Sequence, residues 1–197
     1  EFKTSAYLRS ILEPLGLTVE NPFGTALCAT LHGAKPGKTA ALRADMDALP
    51  VTEATGADFS SRTPGVMHAC GHDIHMTAAV GAAMLLAAHR ETLCGSVRFL
   101  FQPDEEGSGG AQRFVDAGCL RGVDAVFGAH VSPELPLGSV GIRYGKFYAA
   151  SDTFSITVRG KSAHGAEPEK GIDALQAAAR LAVRLVDLRS ALNGERC

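Results

Sequence analysis

Apolar residues follow helical spacing in some stretches of the chain and strand-like runs in others. The pattern predicts a helix at 1–16, strands at 25–32 and 40–44, a helix at 73–90, a strand at 96–101, a helix at 111–117 and a strand at 124–128. A glycine- and proline-containing turn is expected at 33–37 and a polar loop at 53–64. Strands that alternate with helices predict an α/β fold built around a layered sheet.

The last part of the chain has a different pattern. Residues 132–151 are rich in proline, glycine and serine, residues 152–159 alternate as in a half-buried strand, and residues 172–188 form an amphipathic helical pattern. One strand and one helix cannot bury a core of their own. We therefore expect a first domain at 1–147 and the beginning of a second at 148–197, in a chain that looks clipped at both ends.

Composition narrows the possible partners. The chain has 197 residues, of which 46% are hydrophobic and 20% charged, as in ordinary globular proteins. A net charge of -2 without a basic run gives no support for nucleic-acid binding, and no apolar stretch predicts a membrane span. Five scattered cysteines do not form a disulfide framework, which favours a reducing compartment, the cytoplasm.

The densest cluster of candidate chemistry lies at residues 66–75. This stretch, VMHACGHDIH, holds three histidines, a cysteine and an aspartate. A thiolate and imidazoles beside a carboxylate suit a zinc-like divalent ion. Cys70 and His72 are two residues apart, so in an extended segment they would point the same way. The alternative is a loop of satisfied polar residues before a helix.

Further polar residues follow the predicted strands. Asp45 and Asp47, the pair Glu105 and Glu106, and His130 each come after a strand. Open α/β sheets place ligand sites at the carboxyl ends of their strands, so these segments are expected to converge. Taken singly, the glutamates also fit a solvated acidic turn and His130 a satisfied core histidine.

The combined ligand set exceeds what one tetrahedral zinc ion needs. It fits a two-metal site with ions ~3.5–4 Å apart, which makes hydroxide near neutral pH and polarises a carbonyl group. One of the adjacent glutamates could bind metal while the other accepts a proton from the attacking water. These parts together indicate amide hydrolysis.

Five motifs stand in an order that resembles the aminoacylase-like metallopeptidases. They are ALRADMDALP (41–50), MHACGHD (67–73), FQPDEEG (101–107), GAH (128–130) and GKSAHGA (160–166). The most similar branch contains the hippurate hydrolases, N-acyl-amino-acid amidohydrolases and indole-acetyl-amino-acid hydrolases. The resemblance implies a zinc-peptidase-like mixed sheet with helices on both faces, followed by the start of an inserted ferredoxin-like α+β lid domain.

The resemblance also implies a role for each site residue. Cys70 would be a bridging thiolate, His72, Glu106 and His130 would be metal ligands, Glu105 the general base, and His164 the lid histidine that stabilises the tetrahedral oxyanion. The wider superfamily has His-x-Asp where this chain has Asp45-Met46-Asp47, which favours a supporting role for Asp45.

The implied cofactors are two divalent metal ions, Zn or Mn, with Co or Ni also fitting the ligand types. The implied substrate is a small N-acyl amino acid, and the implied assembly is a homodimer formed through the lid domain. The family's last metal ligand is a histidine near the end of a chain about twice this long. We therefore expect this chain alone to bind the second ion weakly and to turn over slowly.

Three other interpretations stay open from the sequence. A dipeptidase or carboxypeptidase of the same superfamily would use the same site. A non-catalytic metal-binding fragment could pair its strand at 152–159 with a partner chain. A redox role for Cys70 is disfavoured because the chain has no Cys-x-x-Cys pair.

Overall fold

The computed structural model describes residues 1–107, 109–148 and 154–192, the last four without their side chains. The chain divides into two compact units, Glu1–Pro136 and Leu137–Cys197. The first unit contains a five-stranded sheet and three α-helices. Its elements in chain order are α1 (Phe2–Leu12), β1 (Thr18–Glu20), β2 (Leu27–His32), β3 (Lys35–Asp45), α2 (His72–Ala88), β4 (Cys94–Gln102), α3 (Gly110–Asp116) and β5 (Ala125–Gly128).

The strand order is β1-β2-β4-β3-β5. The β3 strand runs parallel to both β4 and β5, whereas β2 is antiparallel to β1 and β4. The sheet is therefore mixed. This result confirms the predicted α/β class.

Helices cover both faces of this sheet. On one face α1 and α2 bury Leu12 and Ala83 against Phe99 and Phe101. On the other, Phe114 of α3 packs in a smaller cluster that includes Leu100 of β4 and Cys28 of β2. Each fully buried large apolar side chain contributes about 1.5–3 kcal/mol. The predicted arrangement of helices on both faces is confirmed.

The parallel strands bring three loops to one edge of the sheet. Asp45 pairs with Gln102 at the ends of β3 and β4, and Arg43 pairs with Gly128 at the end of β5. The segments that follow these strands therefore leave the sheet side by side. This arrangement confirms the expected convergence of the strand ends.

Two features of the sheet differ from the sequence prediction. The short strand β1 was not expected. The predicted turn at 33–37 is wrong from Lys35 onward, because β3 already begins there and shifts register between Lys35 and Thr39. A Cβ at Gly37 would lie 2.6 Å from the backbone nitrogen of Gly95, so the two backbones approach too closely for a side chain.

The second unit contains one long helix, α4 (Ala174–Leu192), after a loop closed by an isolated bridge between Lys161 and Ile172. The predicted strand at 152–159 is wrong over 154–159, which pairs with no described part of the chain, and residues 152 and 153 lie outside the described residues. An alternating pattern makes a strand only where a neighbouring strand accepts its hydrogen bonds. None of the described helices is both long and apolar enough to cross a membrane.

Candidate metal centre

The His-Cys cluster lies where α2 begins. Gly71 caps the helix with φ +84°, a left-handed conformation that favours glycine. This turn separates Cys70, which precedes the helix, from His72, which starts it. Asp73 lies in the first turn of this helix, exposed to solvent.

His72 is buried. One of its ring nitrogens is hydrogen-bonded, and the other has no hydrogen-bond partner among the described residues. Its Nδ1 lies 2.9 Å from the carbonyl oxygen of Asp47, so Nδ1 carries the proton and donates. The other nitrogen, Nε2, is buried without a hydrogen-bond partner among the described residues. Burying a lone pair in this way is costly. A cation bound at Nε2 would satisfy it.

Three carboxylates surround that nitrogen. The distances from Nε2 are 3.6 Å to Asp45 Oδ2, 3.9 Å to Glu105 Oε2 and 4.0 Å to Glu106 Oε1. None of these oxygens is within hydrogen-bonding distance. Carboxylates gathered around a bare imidazole lone pair form a site that attracts positive charge.

Cys70 and His130 form a second part of the site. Cys70 Sγ lies 3.3 Å from His130 Nε2, and His130 Nδ1–H donates to the carbonyl oxygen of Val131 at 2.7 Å. Burial, followed by the hydrogen bond and charge of Glu106, raises the pKa of the Cys70 thiol to about 11. Without a cation the thiol therefore keeps its proton at neutral pH, and binding a metal would release it.

The two glutamates reach the same site because the backbone turns sharply before them. Asp104 has φ +58°, which is unusual for a residue other than glycine. The Glu106 N–H donates to Asp47 Oδ2 at 2.9 Å, which fixes the loop to the end of β3. In a regular strand adjacent side chains would point to opposite faces, and the left-handed residue removes that constraint.

Asp45 is buried between the guanidinium of Arg43 and the imidazole of His75. Its Oδ2 pairs with Arg43 Nη1 at 2.7 Å and its Oδ1 lies 2.5 Å from His75 Nδ1. Burial would raise the pKa of this carboxyl, but the His75 hydrogen bond and the Arg43 charge outweigh it, so the pKa lies below its usual value. Asp45 is thus an ionised carboxylate with Oδ1 hydrogen-bonded to His75 and Oδ2 in an ion pair with Arg43, although Oδ2 has no hydrogen bond among the described residues.

A cleft of about 960 Å³ opens beside these residues. Its walls include Cys70 and His130 from the site, together with Asp73 and the apolar side chains of Met67 and Ile74. A small ligand could therefore reach the Cys70–His130 side of the cluster from solvent.

The side chains present fit a divalent-metal site. Ligand atoms of Cys70, His72 and His130 lie within 4.8 Å of one another, as do those of His72, Glu105 and Glu106. Sulfur, imidazole nitrogen and carboxylate oxygen together suit zinc-like ions. The two groups share His72.

The structure brings together every residue that the sequence placed at this site within the first unit. Those residues are Cys70, His72, Glu105, Glu106 and His130. His164 lies in the second unit, in the loop before α4, where its Nδ1 accepts a hydrogen bond from the Ala166 N–H at 3.2 Å.

The contacts of Asp47 and His75 were not found from the sequence. These contacts join segments far apart in the chain, so no pattern of neighbouring residues in the sequence predicts them. The one available signal was position, because His75 follows His72 at helical spacing and so shares its face of α2.

Comparison with known proteins identifies the family to which the chain is similar. The model of peptidase family M20/M25/M40 matches residues 41–192. Thermostable carboxypeptidase 1 of Saccharolobus solfataricus is 47% identical over 177 residues, 88% of this chain and 45% of that protein. The N-acyl-L-amino acid amidohydrolase of Geobacillus stearothermophilus is 43% identical over 187 residues, 94% of this chain and 50% of that protein.

A solved structure agrees with these matches. A crystal structure described as a dinuclear metal-binding peptidase of the M20 family from Bacillus subtilis is 43% identical, with a TM-score of 0.70 over 73% of this chain and 40% of that one. The chain spans about half the length of the curated relatives it matches. The extent of the family match and these identities lead to one conclusion: the chain belongs to peptidase family M20/M25/M40.

Proposed function

We propose that this chain carries most of the active site of a metal-dependent amidohydrolase that cleaves the amide bond of N-acyl amino acids. The observation that carries the proposal is the buried Nε2 of His72, which has no hydrogen-bond partner in the described part of the chain and lies among Glu105, Glu106 and Asp45, beside the Cys70–His130 pair. The names of the relatives supply the reaction class, since one of them is an N-acyl-L-amino acid amidohydrolase.

We propose that Cys70, His72, Glu106 and His130 would hold two divalent ions, Zn or Mn, with Cys70 supplying a thiolate. Co or Ni would suit the same ligands. Bound ions supply Lewis-acid chemistry, since they lower the pKa of a water molecule and polarise a carbonyl oxygen. The donor set and the spacing of these side chains support the assignment.

Side chains of the protein carry out the proton transfers. Glu105 is the general base: its carboxylate accepts a proton from the attacking water and returns it to the leaving amine. About 39% of its side chain is exposed, so it can exchange that proton with substrate, whereas buried Asp45 cannot. The carbonyl oxygen of Asp47 accepts the His72 Nδ1–H, which holds His72 in the tautomer whose Nε2 lone pair would be available to a metal ion.

His164 is proposed as the donor that stabilises the negatively charged oxygen of the tetrahedral intermediate. Its Nδ1 accepts a hydrogen bond from the Ala166 N–H, which leaves the proton on Nε2. An exposed imidazole in this tautomer has its N–H available to donate to a substrate.

We propose that residues 1–147 form the catalytic domain and residues 148–197 the first part of a lid through which the protein forms a homodimer. Apolar side chains of α4 support this, because Leu175, Val183 and Val186 are all more than half exposed. Sedimentation equilibrium tests the dimer. A monomer at all concentrations would contradict it.

The cysteines support a cytoplasmic location, since Cys28, Cys70, Cys94 and Cys119 are all free thiols.

The test of the proposed function is an activity panel run with each metal in turn, on hippurate, acetyl-amino acids and dipeptides. We expect hydrolysis of the acylated amino acids. Glu105→Gln is expected to lower kcat by roughly 10²–10⁴-fold because it removes the proton acceptor. Its metal content, measured by atomic emission, should stay unchanged, and Glu91→Gln on the exposed surface is the control.

A second candidate function is a carboxypeptidase, which the 47% identity to thermostable carboxypeptidase 1 favours. The same panel separates the two. Faster cleavage of peptides than of acetyl-amino acids and hippurate would replace the first proposal with the second. Metal retention with no turnover on any substrate would instead indicate a metal-binding fragment.

A further inference from the structure

We propose that His75 is a positioning residue that holds His130 against Cys70 and thereby sets the affinity of the site for its metal ion. The inference rests on the proposed function, because it assigns a role to a residue that touches the metal-ligand segment without ligating. Three observations on the described residues support it.

The protonation of the His75 ring is fixed by its partners. The Val131 backbone N–H donates to His75 Nε2 at 3.0 Å, and a backbone N–H can only donate. Nε2 is therefore the unprotonated nitrogen, and Nδ1 carries the hydrogen that is donated to Asp45 Oδ1 at 2.5 Å. Both nitrogens are used, so the imidazole has no lone pair left for a metal.

This assignment decides between two interpretations of one cluster. Ligand atoms of Asp45, His72 and His75 lie close enough to hold an ion of their own. An ion there would displace the hydrogen bond to Val131 or the one to Asp45. His75 is better described as a bridge that connects the end of β3 to the loop after β5.

The bridge acts on His130 through the adjacent residue. Val131 follows His130, whose Nδ1–H also donates to the Val131 carbonyl oxygen at 2.7 Å. The rings of His75 and His130 meet edge to face, with centroids 4.5 Å apart and planes at 73°. His75 therefore restrains both the backbone and the ring plane of His130, whose Nε2 faces Cys70.

The need for this restraint comes from β5. This four-residue strand is at the edge of the sheet, pairs only with β3 among the described strands, and is exposed along its whole length. The packing around β5 therefore does little to fix the loop that follows it. The buried side chain of His75, held by the ionised carboxylate of Asp45, supplies the fixed point.

The experiment measures Co²⁺ binding to the whole chain by chelator competition and by the thiolate-to-Co²⁺ absorption band, which reports on Cys70. His75→Phe keeps a ring but loses both hydrogen bonds. We expect it to weaken Co²⁺ binding about 10–100-fold and to shift or weaken the band, as when outer partners of metal-binding histidines are lost. His89→Phe at the exposed end of α2 is the matched control.

A purely structural role for His75 would lower the free energy of unfolding but leave Co²⁺ affinity and the band of the folded protein unchanged, and that result would overturn the inference. If His75→Phe does not fold, His75→Gln and His75→Asn decide. Glutamine can reach the Val131 N–H, whereas the shorter asparagine can keep only the bond to Asp45. Tighter Co²⁺ binding by His75→Gln than by His75→Asn supports the inference, and equal binding by these two variants contradicts it.

Failure of the proposed function gives a different result. If the unaltered chain shows no thiolate band that Cys70→Ser abolishes, the metal assignment is wrong and the positioning role is wrong with it. If the unaltered chain shows the band and the His75 variants match it, the proposed function stands and only the role of His75 is overturned.

Discussion

Gly71 is the residue on which the geometry of the His-Cys cluster most directly depends. It has φ +84°, and a Cβ built there would lie 2.5 Å from Cγ2 of Val131, the residue after His130. A side chain at this position would therefore disturb both the start of α2 and the loop that carries His130.

We expect Gly71→Ala to lower the free energy of unfolding by more than the ~1–2 kcal/mol that a left-handed alanine costs, because the methyl group also collides with Val131. Co²⁺ affinity should fall as well. Gly109→Ala is the control, since Gly109 also caps a helix with φ +89° but has no described atom within 4 Å of the added Cβ. Urea denaturation of both variants measures the difference, and equal losses would contradict the prediction.

Cys28 gives a prediction for alkaline pH. Burial, followed by the nearby Cys119 thiol, raises the pKa of Cys28 to about 12 from 9.0. Between these values the unfolded chain loses the thiol proton while the folded chain keeps it, so stability falls as pH rises from 9 to 12.

Cys28→Val fills the same space without titrating. We expect its free energy of unfolding to fall less steeply with pH above 9 than that of the unaltered chain, by at most about 1.4 kcal/mol per pH unit. Denaturant titrations at a series of pH values measure the two slopes. Parallel slopes would show that Cys28 does not contribute.

At the scale of elements, the side chain of Asp47, which follows β3, connects the loop after β4 to the start of α2. Asp47 Oδ1 lies 3.2 Å from His72 Nδ1, whose N–H it shares with the Asp47 carbonyl oxygen at 2.9 Å, and Asp47 Oδ2 accepts the Glu106 N–H at 2.9 Å. Asp47→Asn replaces one acceptor with an NH₂ group that faces a donor. We expect metal affinity to fall about 10–100-fold, measured by competition with a chelator.

A matched variant separates this effect from the loss of a surface charge. Asp116→Asn removes a carboxylate of α3 that faces Gln112 rather than the site. It should leave metal affinity unchanged. A similar loss of affinity in both variants would mean that the net charge of the domain, and not the two hydrogen bonds, accounts for the effect.

The elements also show how far sequence reasoning reaches. The strands at 25–32, 96–101 and 124–128 and the long helix at 73–90 have clear periodicity, and the structure has all of them. The failures are at irregular or unpaired segments. Glycine and proline at the start of β3 predict a turn, yet pairing with β4 overrides them.

The same distinction holds at the site. Ligand types and their positions after strands predicted which side chains would meet, because the direction of parallel strands is a property of the whole fold. The left-handed Asp104 and the contacts of His75 depend on atoms far away in the chain. No pattern of neighbouring residues encodes them.

At the scale of the whole molecule, the two units differ in chemistry. All the proposed metal-binding residues lie in Glu1–Pro136, whereas His164 lies in Leu137–Cys197. Ligands stabilise only the state that binds them. We therefore expect Zn²⁺ to raise the thermal unfolding midpoint of the first unit alone.

Limited proteolysis tests this prediction. Residues 132–148 are all exposed and are rich in proline and glycine, so a protease should cut there first. The fragment that contains the first unit should keep its Zn²⁺-dependent stabilisation, and the other fragment should show none. Stabilisation of the second fragment by Zn²⁺ would contradict the assignment.

Because β5 lies at the edge of the sheet, the hydrogen exchange of its backbone amides should depend on whether metal is bound. An edge strand whose residues are exposed opens more readily than the central strands, so its backbone hydrogens exchange with deuterated solvent sooner. A cation held by the proposed ligands His130 and His72 would tie the loop after β5 to the start of α2. The exchange rate of the Val126 and Phe127 amides would then report metal occupancy directly, at a distance from the ligands themselves.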